Sequence, residues 1–219
     1  MYYALAAIFF LTILTGVLVI VGFYFLRTGS LKVAIIYFCW LLLYSLFIIF
    51  GTGPIGERTS PSHLSPYKLP WKSGISRFVS QGNRSFTSHR GAHTYAWDFW
   101  MSIGSEVLAS RSGIVIKVEE TFDGIGIHSN FIMIEHNDGT RALYAHIRKM
   151  GAVVEVNDRV EQGQMIAYSG MVGQTINPHL HFVVLNNEET ESLPITFSDC
   201  NDDGVPLAGR SYTSRNTPP

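Results

Sequence analysis

The stretch FIMIEHNDGTRALYAHI, residues 131–147, decides the fold class of this chain. Apolar residues fill positions 131–134, an Asn-Asp-Gly sequence follows at 137–139, and a second apolar run leads to residue 147. Asp-Gly supplies the left-handed residues of a tight turn between two strands. The stretch therefore predicts a β-hairpin.

Short apolar runs of the same kind lie on both sides of this hairpin, and turn residues separate them. They are residues 95–100, 113–118, 165–168 and 180–185. None of them shows the period of a long helix. The sequence therefore predicts a mainly β domain built from an antiparallel β-sheet.

The N-terminal segment, residues 1–50, has a different composition. Residues 2–26 and residues 33–50 contain no charged side chain, and a bilayer-spanning helix needs about 20 mostly apolar residues. We predict two transmembrane helices over these ranges, joined as a hairpin. The connection carries Arg27 and Lys32 and no acidic residue, so the positive-inside rule predicts that it is cytoplasmic and that the C-terminal part faces outward.

A linker, a folded domain and a tail are predicted after the hairpin. Residues 51–66 contain six Gly or Pro residues with several Ser and Thr, a composition typical of a tether. The folded domain is predicted over residues 67–199. Residues 200–219 are polar and end in Pro, and we predict that this tail is loosely ordered.

The charges exclude one class of partner and the cysteines exclude one class of site. The chain has 16 basic and 17 acidic residues, with no basic stripe that could neutralise phosphates, so no nucleic-acid partner is expected. The two cysteines, Cys39 and Cys200, form neither a disulfide framework nor a Cys-based metal site. Any metal must therefore bind to histidine and carboxylate ligands.

Two histidines near the end of the domain share one face of a predicted strand. In NPHLHF, residues 177–182, the period of two sends His179 and His181 to one side and Leu180 and Phe182 into the core. A His-x-His pair alone is weak evidence for a metal site, because surface histidines are the common alternative.

Two further segments supply matching side chains. The same alternation places Tyr144 and His146 on one face of the returning hairpin strand. Asp98 is a single carboxylate among large apolar residues, and a buried acid needs a partner or a metal. Three other histidines have no partner at ligand spacing and are assigned no role: His63, His128 and His136.

Several motifs, taken together and in order, resemble the lysostaphin-type, or LytM-domain, zinc peptidases. The resemblance covers roughly residues 67–199, which is most of the part that follows the predicted membrane segments. The motifs are Leu69-Pro-Trp, Gln81-Gly82, Ser88-His89, Tyr95-Ala-Trp-Asp-Phe, Gly104-Ser-Glu-Val-Leu-Ala, Leu143-Tyr-Ala-His, Val160-Glu-Gln-Gly-Gln-Met-Ile, Ser169-Gly and Pro178-His-Leu-His-Phe.

The resemblance implies a fold, a metal and a set of roles. It implies the antiparallel, duplicated hybrid motif-like sheet of this family, with one Zn²⁺ per domain bound by an upstream histidine, Asp98 and His181. His146 and His179 are then expected to act on the attacking water and the developing oxyanion. Two imidazoles and one carboxylate leave a fourth zinc position for that water.

The resemblance also implies a substrate and a location. The expected activity is a zinc endopeptidase that hydrolyses peptide cross-links or stem peptides of bacterial peptidoglycan. With the predicted membrane hairpin, the expected location is the bacterial inner (cytoplasmic) membrane, as a multi-pass protein in contact with the lipid bilayer. Its catalytic domain would then be periplasmic or extracellular. A regulatory protein partner is left open.

The upstream ligand has two candidates, His89 and His93. Many family members have a compact His-x-x-x-Asp motif, whereas His89 lies nine residues and His93 five residues before Asp98. If residues 95–100 form a strand, extending it back would send His93 to the face opposite Asp98. His89 precedes Gly91, whose permissive backbone can return the loop toward the metal. We therefore predict His89 as the ligand and His93 as a solvent-facing loop residue.

Two alternatives to an enzyme remain. A LytM-like module can lose ligands and instead bind the cell wall or activate another wall hydrolase. A membrane scaffold would rely on the two helices alone, but no motif supports it. The presence of Asp98, His146, His179 and His181 favours the enzyme.

Overall fold

Two units make up the chain, Met1–Ile49 and Phe50–Pro219. The computed structural model describes residues 16, 20, 22–24, 27, 29, 31–50, 66–85 and 87–219. The helix predicted over residues 2–26 and the linker predicted over residues 51–66 therefore lie mostly outside the described residues.

The second apolar segment is an α-helix, α1, over Leu31–Phe50. Its 20 residues contain no Gly or Pro, and Gly29 just before it has a left-handed φ of +61°. Helical structure over residues 33–50 is as predicted. In the part of the chain that the structure describes, no helix is long and apolar enough to qualify as a membrane span. The predicted transmembrane hairpin therefore has no support from the structure.

The described residues of the C-terminal unit form eleven strands in two antiparallel sheets, which confirms the mainly β class. The larger sheet has the order β11-β1-β2-β10-β6-β5-β4-β8, and the smaller has the order β3-β9-β7. The strands are β1 Ser76–Gln81, β2 Trp97–Trp100, β3 Glu106–Leu108, β4 Gly113–Glu119, β5 Phe131–Glu135, β6 Arg141–Ala145, β7 Ile147–Ala152, β8 Arg159–Val160, β9 Met165–Ser169, β10 His179–Leu185 and β11 Ser211–Thr213.

The predicted hairpin is formed by β5 and β6, which pair antiparallel. Its turn differs from the prediction, because only Gly139 of the Asp-Gly pair is left-handed, with a φ of +80°. The backbone N–H of His136 donates to the carbonyl of Thr140 at 2.9 Å, and the Asp138 carboxylate accepts from the N–H of Thr140 at 3.1 Å. The connection is therefore a longer loop in which the Asp138 side chain stabilises the turn.

The main apolar cluster contains residues of both sheets and places large aromatic rings edge to face. The ring centroids of Trp71 and Phe99 are 4.9 Å apart, and those of Tyr144 and Phe182 are 5.1 Å apart. Leu180 and Phe182 are fully buried, as the period of two along β10 predicts. Burying one such side chain contributes about 1.5–3 kcal/mol, so this face of β10 is held firmly in register.

Residues 200–219 are not a loose tail, and this part of the prediction is wrong. Ser211–Thr213 is an edge strand that pairs with β1. Asn216 is fully buried, and its amide donates to the carbonyls of Leu69 and Ala109 at 3.1 and 3.2 Å. Polar composition misled the prediction because these side chains satisfy buried backbone carbonyls instead of facing water. The folded unit therefore continues well past residue 199.

Candidate metal centre

The carboxylate of Asp98 lies at the centre of a group of histidines. Asp98 belongs to β2, directly opposite His181 of β10, and it is buried. Its Oδ2 accepts a hydrogen bond from the Gln81 amide at 2.7 Å. Its Oδ1 faces three ring nitrogens: His181 Nδ1 at 2.8 Å, His89 Nε2 at 3.2 Å and His179 Nε2 at 3.6 Å.

Gln81, the last residue of β1, fixes the second oxygen of this carboxylate. The side-chain amide oxygen of Gln81, Oε1, accepts hydrogen bonds from the hydroxyls of Ser85 at 2.7 Å and Ser88 at 3.2 Å. The amide is therefore held in one orientation with its NH₂ group toward Asp98. In the sequence, Gln81 stands out only as part of the Gln81-Gly82 motif. The pairing of Gln81 with Asp98 across β1 and β2 is what gives it a role.

His89 enters the site from the loop between β1 and β2 and is fully buried. Its Nδ1 lies 2.7 Å from the carbonyl oxygen of Gly82, and its Nε2 faces Asp98. Gly91, two residues further on, has a left-handed φ of +57°. The structure thus brings the predicted ligand His89 together with Asp98 and His181, while its role as a ligand stays a prediction.

His93 lies beside the site and not in solvent, so this part of the prediction is wrong. β2 begins at Trp97 instead of residue 95, and Gly91–His93 forms a 3-10 turn. Extending the strand back to His93 is therefore not possible. The turn brings Nδ1 of His93 to 3.0 Å from Nε2 of His181, with His93 half-buried.

His146 reaches the site through an exception to strand alternation. Tyr144 is fully buried in the core, where its hydroxyl accepts from the N–H of Ser110 at 2.8 Å. The predicted common face for Tyr144 and His146 is wrong, because His146 follows the end of β6 with a left-handed φ of +65°. Its ring lies 4.6 Å from the ring of His179 and 5.9 Å from that of His181, measured between centroids. Such a backbone costs a non-glycine residue about 1–2 kcal/mol.

Three of the imidazoles share one arrangement, in which Nδ1 meets a backbone carbonyl oxygen. The distances are 2.7 Å from His89 to Gly82, 2.8 Å from His146 to Val172 and 2.9 Å from His179 to Asn177. A carbonyl oxygen only accepts, so in the neutral ring Nδ1 carries the proton and Nε2 keeps its lone pair. In His89 and His179 that lone pair faces Asp98.

Burial and neighbouring charges shift several pKa values in this group. Burial alone would raise the pKa of Asp98, but charge on His89 and His179 and hydrogen bonds from His181 and His89 hold it well below its usual range. Burial and the neighbouring imidazoles lower the pKa of His181, and they lower that of His146 to about 4. At neutral pH, Asp98 is therefore ionised, and His146 and His181 are neutral.

Electron pairs converge on one point, which is the chemistry of a cation site. One nitrogen each of His89 and His181 and one oxygen of Asp98 lie within 4.8 Å of one another, the one such group of three among residues 66–85 and 87–219. Burial would lower the pKa of His89, but Asp98 raises it, so positive charge is favoured between His89 Nε2 and the carboxylate at 3.2 Å, either as a proton on the ring or as a bound cation. Two imidazoles and one carboxylate are a donor set of catalytic zinc sites, so these residues fit zinc.

Sequence comparisons relate this domain to known peptidases. The profile of Peptidase family M23 matches residues 92–192, a range that includes Asp98, His146, His179 and His181 and begins after His89. Over 124 residues the chain is 39% identical to glycyl-glycine endopeptidase ALE-1 of Staphylococcus capitis, covering 56% of this chain and 33% of that protein.

Two more similarities are to a curated relative and to a solved structure. Over 89 residues the chain is 37% identical to peptidoglycan DD-endopeptidase ShyB of Vibrio cholerae, covering 40% of this chain and 19% of that protein. The chain thus spans a third or less of the length of these two relatives. The structure of lysostaphin from Staphylococcus simulans aligns at 27% identity with a TM-score of 0.43, covering 60% of this chain and 52% of that one.

Proposed function

This chain carries a Peptidase family M23 domain, and from that membership we propose that it is a zinc-dependent endopeptidase acting on bacterial peptidoglycan. One observation carries the proposal: one nitrogen each of His89 and His181 and one oxygen of Asp98 lie within 4.8 Å of one another. His146 and His179 lie beside this group, so every role in metal-dependent hydrolysis has a candidate residue.

Zinc would be held by Nε2 of His89, Oδ1 of Asp98 and Nδ1 of His181, with one ion per domain. When bound, zinc supplies Lewis acidity toward a water molecule and toward the scissile carbonyl. Gln81 holds Oδ2 of Asp98 at 2.7 Å, which would leave Oδ1 for the metal. The carbonyl of Gly82 holds the far nitrogen of His89, the usual way in which a protein orients a metal-binding imidazole.

Proton transfer would fall to His146 and His179. Each ring has its Nδ1 on a backbone carbonyl, so Nε2 can accept a proton from the attacking water and return it to the amine of the leaving peptide. The pKa of His146, lowered by burial to about 4, keeps this ring neutral at pH 7 and makes its protonated form a strong donor. Once protonated, either ring can donate to the developing oxyanion.

The substrate class is supported by the relatives. Two relatives are named for glycyl-glycine and for peptidoglycan DD-endopeptidase activity. For this chain we propose peptide cross-links or stem peptides of peptidoglycan. These relatives are much longer than the region they share with this chain, so its substrate is a proposal in its own right.

Attachment to a membrane is part of the proposal and is supported by the sequence alone. Residues 2–26 and 33–50 would anchor the chain in the lipid bilayer of the bacterial inner membrane, with the peptidase domain periplasmic or extracellular. Alkaline phosphatase fused to the C-terminus is expected to be active in cells. A fusion that is expressed but inactive would place the domain on the cytoplasmic side and contradict this orientation.

The activity is tested directly on cell-wall material. The purified full chain is incubated with peptidoglycan sacculi, with zinc, with excess chelator, and with zinc restored after chelation. New amino termini are then identified by mass spectrometry. We expect cleavage of defined peptide bonds that chelator abolishes and zinc restores. Binding to sacculi without any new amino terminus would instead support the non-catalytic module.

A further inference from the structure

The two nitrogens of His181 face different partners. Nδ1 lies 2.8 Å from Oδ1 of Asp98, on the side of the proposed metal. Nε2 lies 3.0 Å from Nδ1 of His93, on the other side of the ring. The centroids of the His93 and His181 rings are 5.1 Å apart, so the two imidazoles are in direct contact.

The second contact fixes where the protons lie. If Nδ1 of His181 gives its lone pair to a metal, the neutral ring must carry its proton on Nε2. At 3.0 Å that N–H donates to Nδ1 of His93, which must then keep its own lone pair. With a metal on Nδ1 of His181, His93 is thus required in the tautomer that carries its proton on Nε2.

His93 is held in place for this contact by its backbone. The N–H of His93 donates to the carbonyl of Arg90 at 3.1 Å, and the carbonyl of His93 accepts from the N–H of Ala96 at 3.1 Å. The hydroxyl and the N–H of Thr94 both donate to the carbonyl of Gly91, at 2.7 and 3.2 Å. The 3-10 turn is therefore tied on both sides of His93.

The two histidine ligands of the proposed site are oriented by different means. The far nitrogen of His89 is held by the backbone carbonyl of Gly82, which no substitution of a side chain removes. The far nitrogen of His181 is held by a side chain, His93. The orientation of His181 can therefore be altered without touching any of the three proposed ligands.

We propose that His93 is a positioning residue, which accepts the Nε2–H of His181 and so holds Nδ1 of His181 toward the metal. This inference rests on the proposed zinc site and goes beyond it, because it assigns to His93 a role other than that of a ligand. Partners of this kind typically affect metal affinity by about 10–100-fold.

Zinc affinity of the full chain, measured by competition with a chromophoric chelator, tests this role. We expect His93→Ala to bind zinc about 10–100-fold more weakly than the wild type. His93→Asn keeps an acceptor at this position and should recover most of the loss. His89→Ala, which removes a proposed ligand, should be weaker than either. The visible spectrum of the Co²⁺-loaded chain should shift in His93→Ala, because the angle of His181 to the metal changes.

Two results would overturn the proposal while leaving the zinc site itself intact. Zinc affinity and a Co²⁺ spectrum in His93→Ala equal to those of the wild type would remove any role for His93. A loss as complete as in His89→Ala, with no recovery in His93→Asn, would make His93 a ligand. A wild-type chain that binds no zinc would instead remove the metal centre, and with it both proposals.

A measurement on the wild type keeps the test independent of how the variants fold. Two-bond ¹H–¹⁵N spectra of the zinc-loaded chain report the tautomer of each histidine ring. We expect His93 and His181 both to carry their proton on Nε2. A proton on Nδ1 of His93 would contradict the proposal, since Nδ1 could then not accept from His181.

Discussion

Two histidines lie beyond opposite ends of strand β6, His136 in the turn before it and His146 directly after it, and only His146 belongs to the candidate site. Burial is the main cause that lowers the pKa of each to about 4. His136 holds the carbonyl of Ser112 with Nδ1 at 2.9 Å, and its Nε2 has no hydrogen-bond partner among the described residues. A lowered pKa and burial alone therefore do not identify a metal centre.

What distinguishes the His146 end is a buried carboxylate with several imidazoles around it. Three ring nitrogens lie within 3.6 Å of Asp98 Oδ1, from His89, His179 and His181. At the other end the carboxylate, Asp138, is on the surface and pairs with the guanidinium of Arg111 at 2.7 Å. The His146 end of β6 therefore has the donor atoms of a cation site. At the His136 end, the carboxylate is already neutralised by Arg111.

The largest expected effect is on zinc affinity, and it should differ between substitutions of Asp98 and Asp138. Asp98→Asn removes the negative charge from the proposed site, and we expect zinc affinity to fall by more than about 100-fold, beyond the range of outer-shell losses. Peptidoglycan cleavage should fall with it. Asp138→Asn, the same substitution at the other end, should leave both unchanged. Zinc content and cleavage rates are measured on both variants, and an Asp98→Asn chain that binds zinc normally would remove the basis of the comparison.

Within the site, the next largest effect distinguishes a proton-transfer residue, His179, from a metal ligand, His181. We expect His179→Ala to retain zinc and to cleave about 10²–10⁴-fold more slowly, the usual loss for a general acid or base. We expect His181→Ala to lose zinc as well as activity. Metal analysis decides between the roles, because loss of activity is common to both. Retention of zinc by His181→Ala together with its loss from His179→Ala would reverse the assignment.

At the other end of β6, His136 should influence stability with a defined pH dependence. Its pKa is 6.5 in the unfolded chain and about 4 in the folded one, so between these values only the unfolded chain takes up the proton. The contribution of His136 to the free energy of unfolding is therefore fully present above pH 6.5. It falls by about 3 kcal/mol as the pH is lowered to about 4.

The matched variant is His136→Asn, whose amide can still donate to the carbonyl of Ser112. Urea unfolding in excess chelator, at several pH values between 4 and 6.5, should show that His136→Asn loses less stability than the wild type on acidification. His128→Asn, at an exposed histidine, is the control and should follow the wild type. Identical pH dependence in the wild type and His136→Asn would contradict this account of His136.

The smallest effect concerns the backbone that turns His146 into the site. At its φ of +65°, glycine has no steric penalty, so His146→Gly should be about 1 kcal/mol more stable than His146→Ala. At Lys149, an exposed residue of β7 without a left-handed backbone, the order should reverse by about 0.5–1 kcal/mol. Urea unfolding measures both pairs, and the same order at both positions would exclude a left-handed backbone at His146.

The sequence is sufficient to predict those features that follow a regular period. The hairpin of β5 and β6 follows from two apolar runs separated by an Asn-Asp-Gly turn, and the common face of His179 and His181 follows from alternation along a strand. The approach of His89 to Asp98 follows from its place in the loop before β2 together with the freedom of Gly91.

Other features could not be predicted because they depend on breaks in that period or on tertiary contacts. Tyr144 points into the core, so His146 reaches the site only because its own left-handed backbone breaks the alternation just after β6. His93 needs the 3-10 turn, whose three residues carry no distinctive pattern. Asn216 is buried only because distant carbonyls are within reach of its amide.

We propose that one zinc ion, held by His89, Asp98 and His181, is required for cleavage of peptidoglycan peptides. The most direct measurement titrates zinc into the chelator-stripped full chain and follows the rate of release of new amino termini from sacculi. We expect no cleavage without zinc, a linear rise in rate as zinc is added, and a plateau at one zinc per chain. Cleavage that proceeds without zinc, or a plateau that needs a second ion, would contradict it.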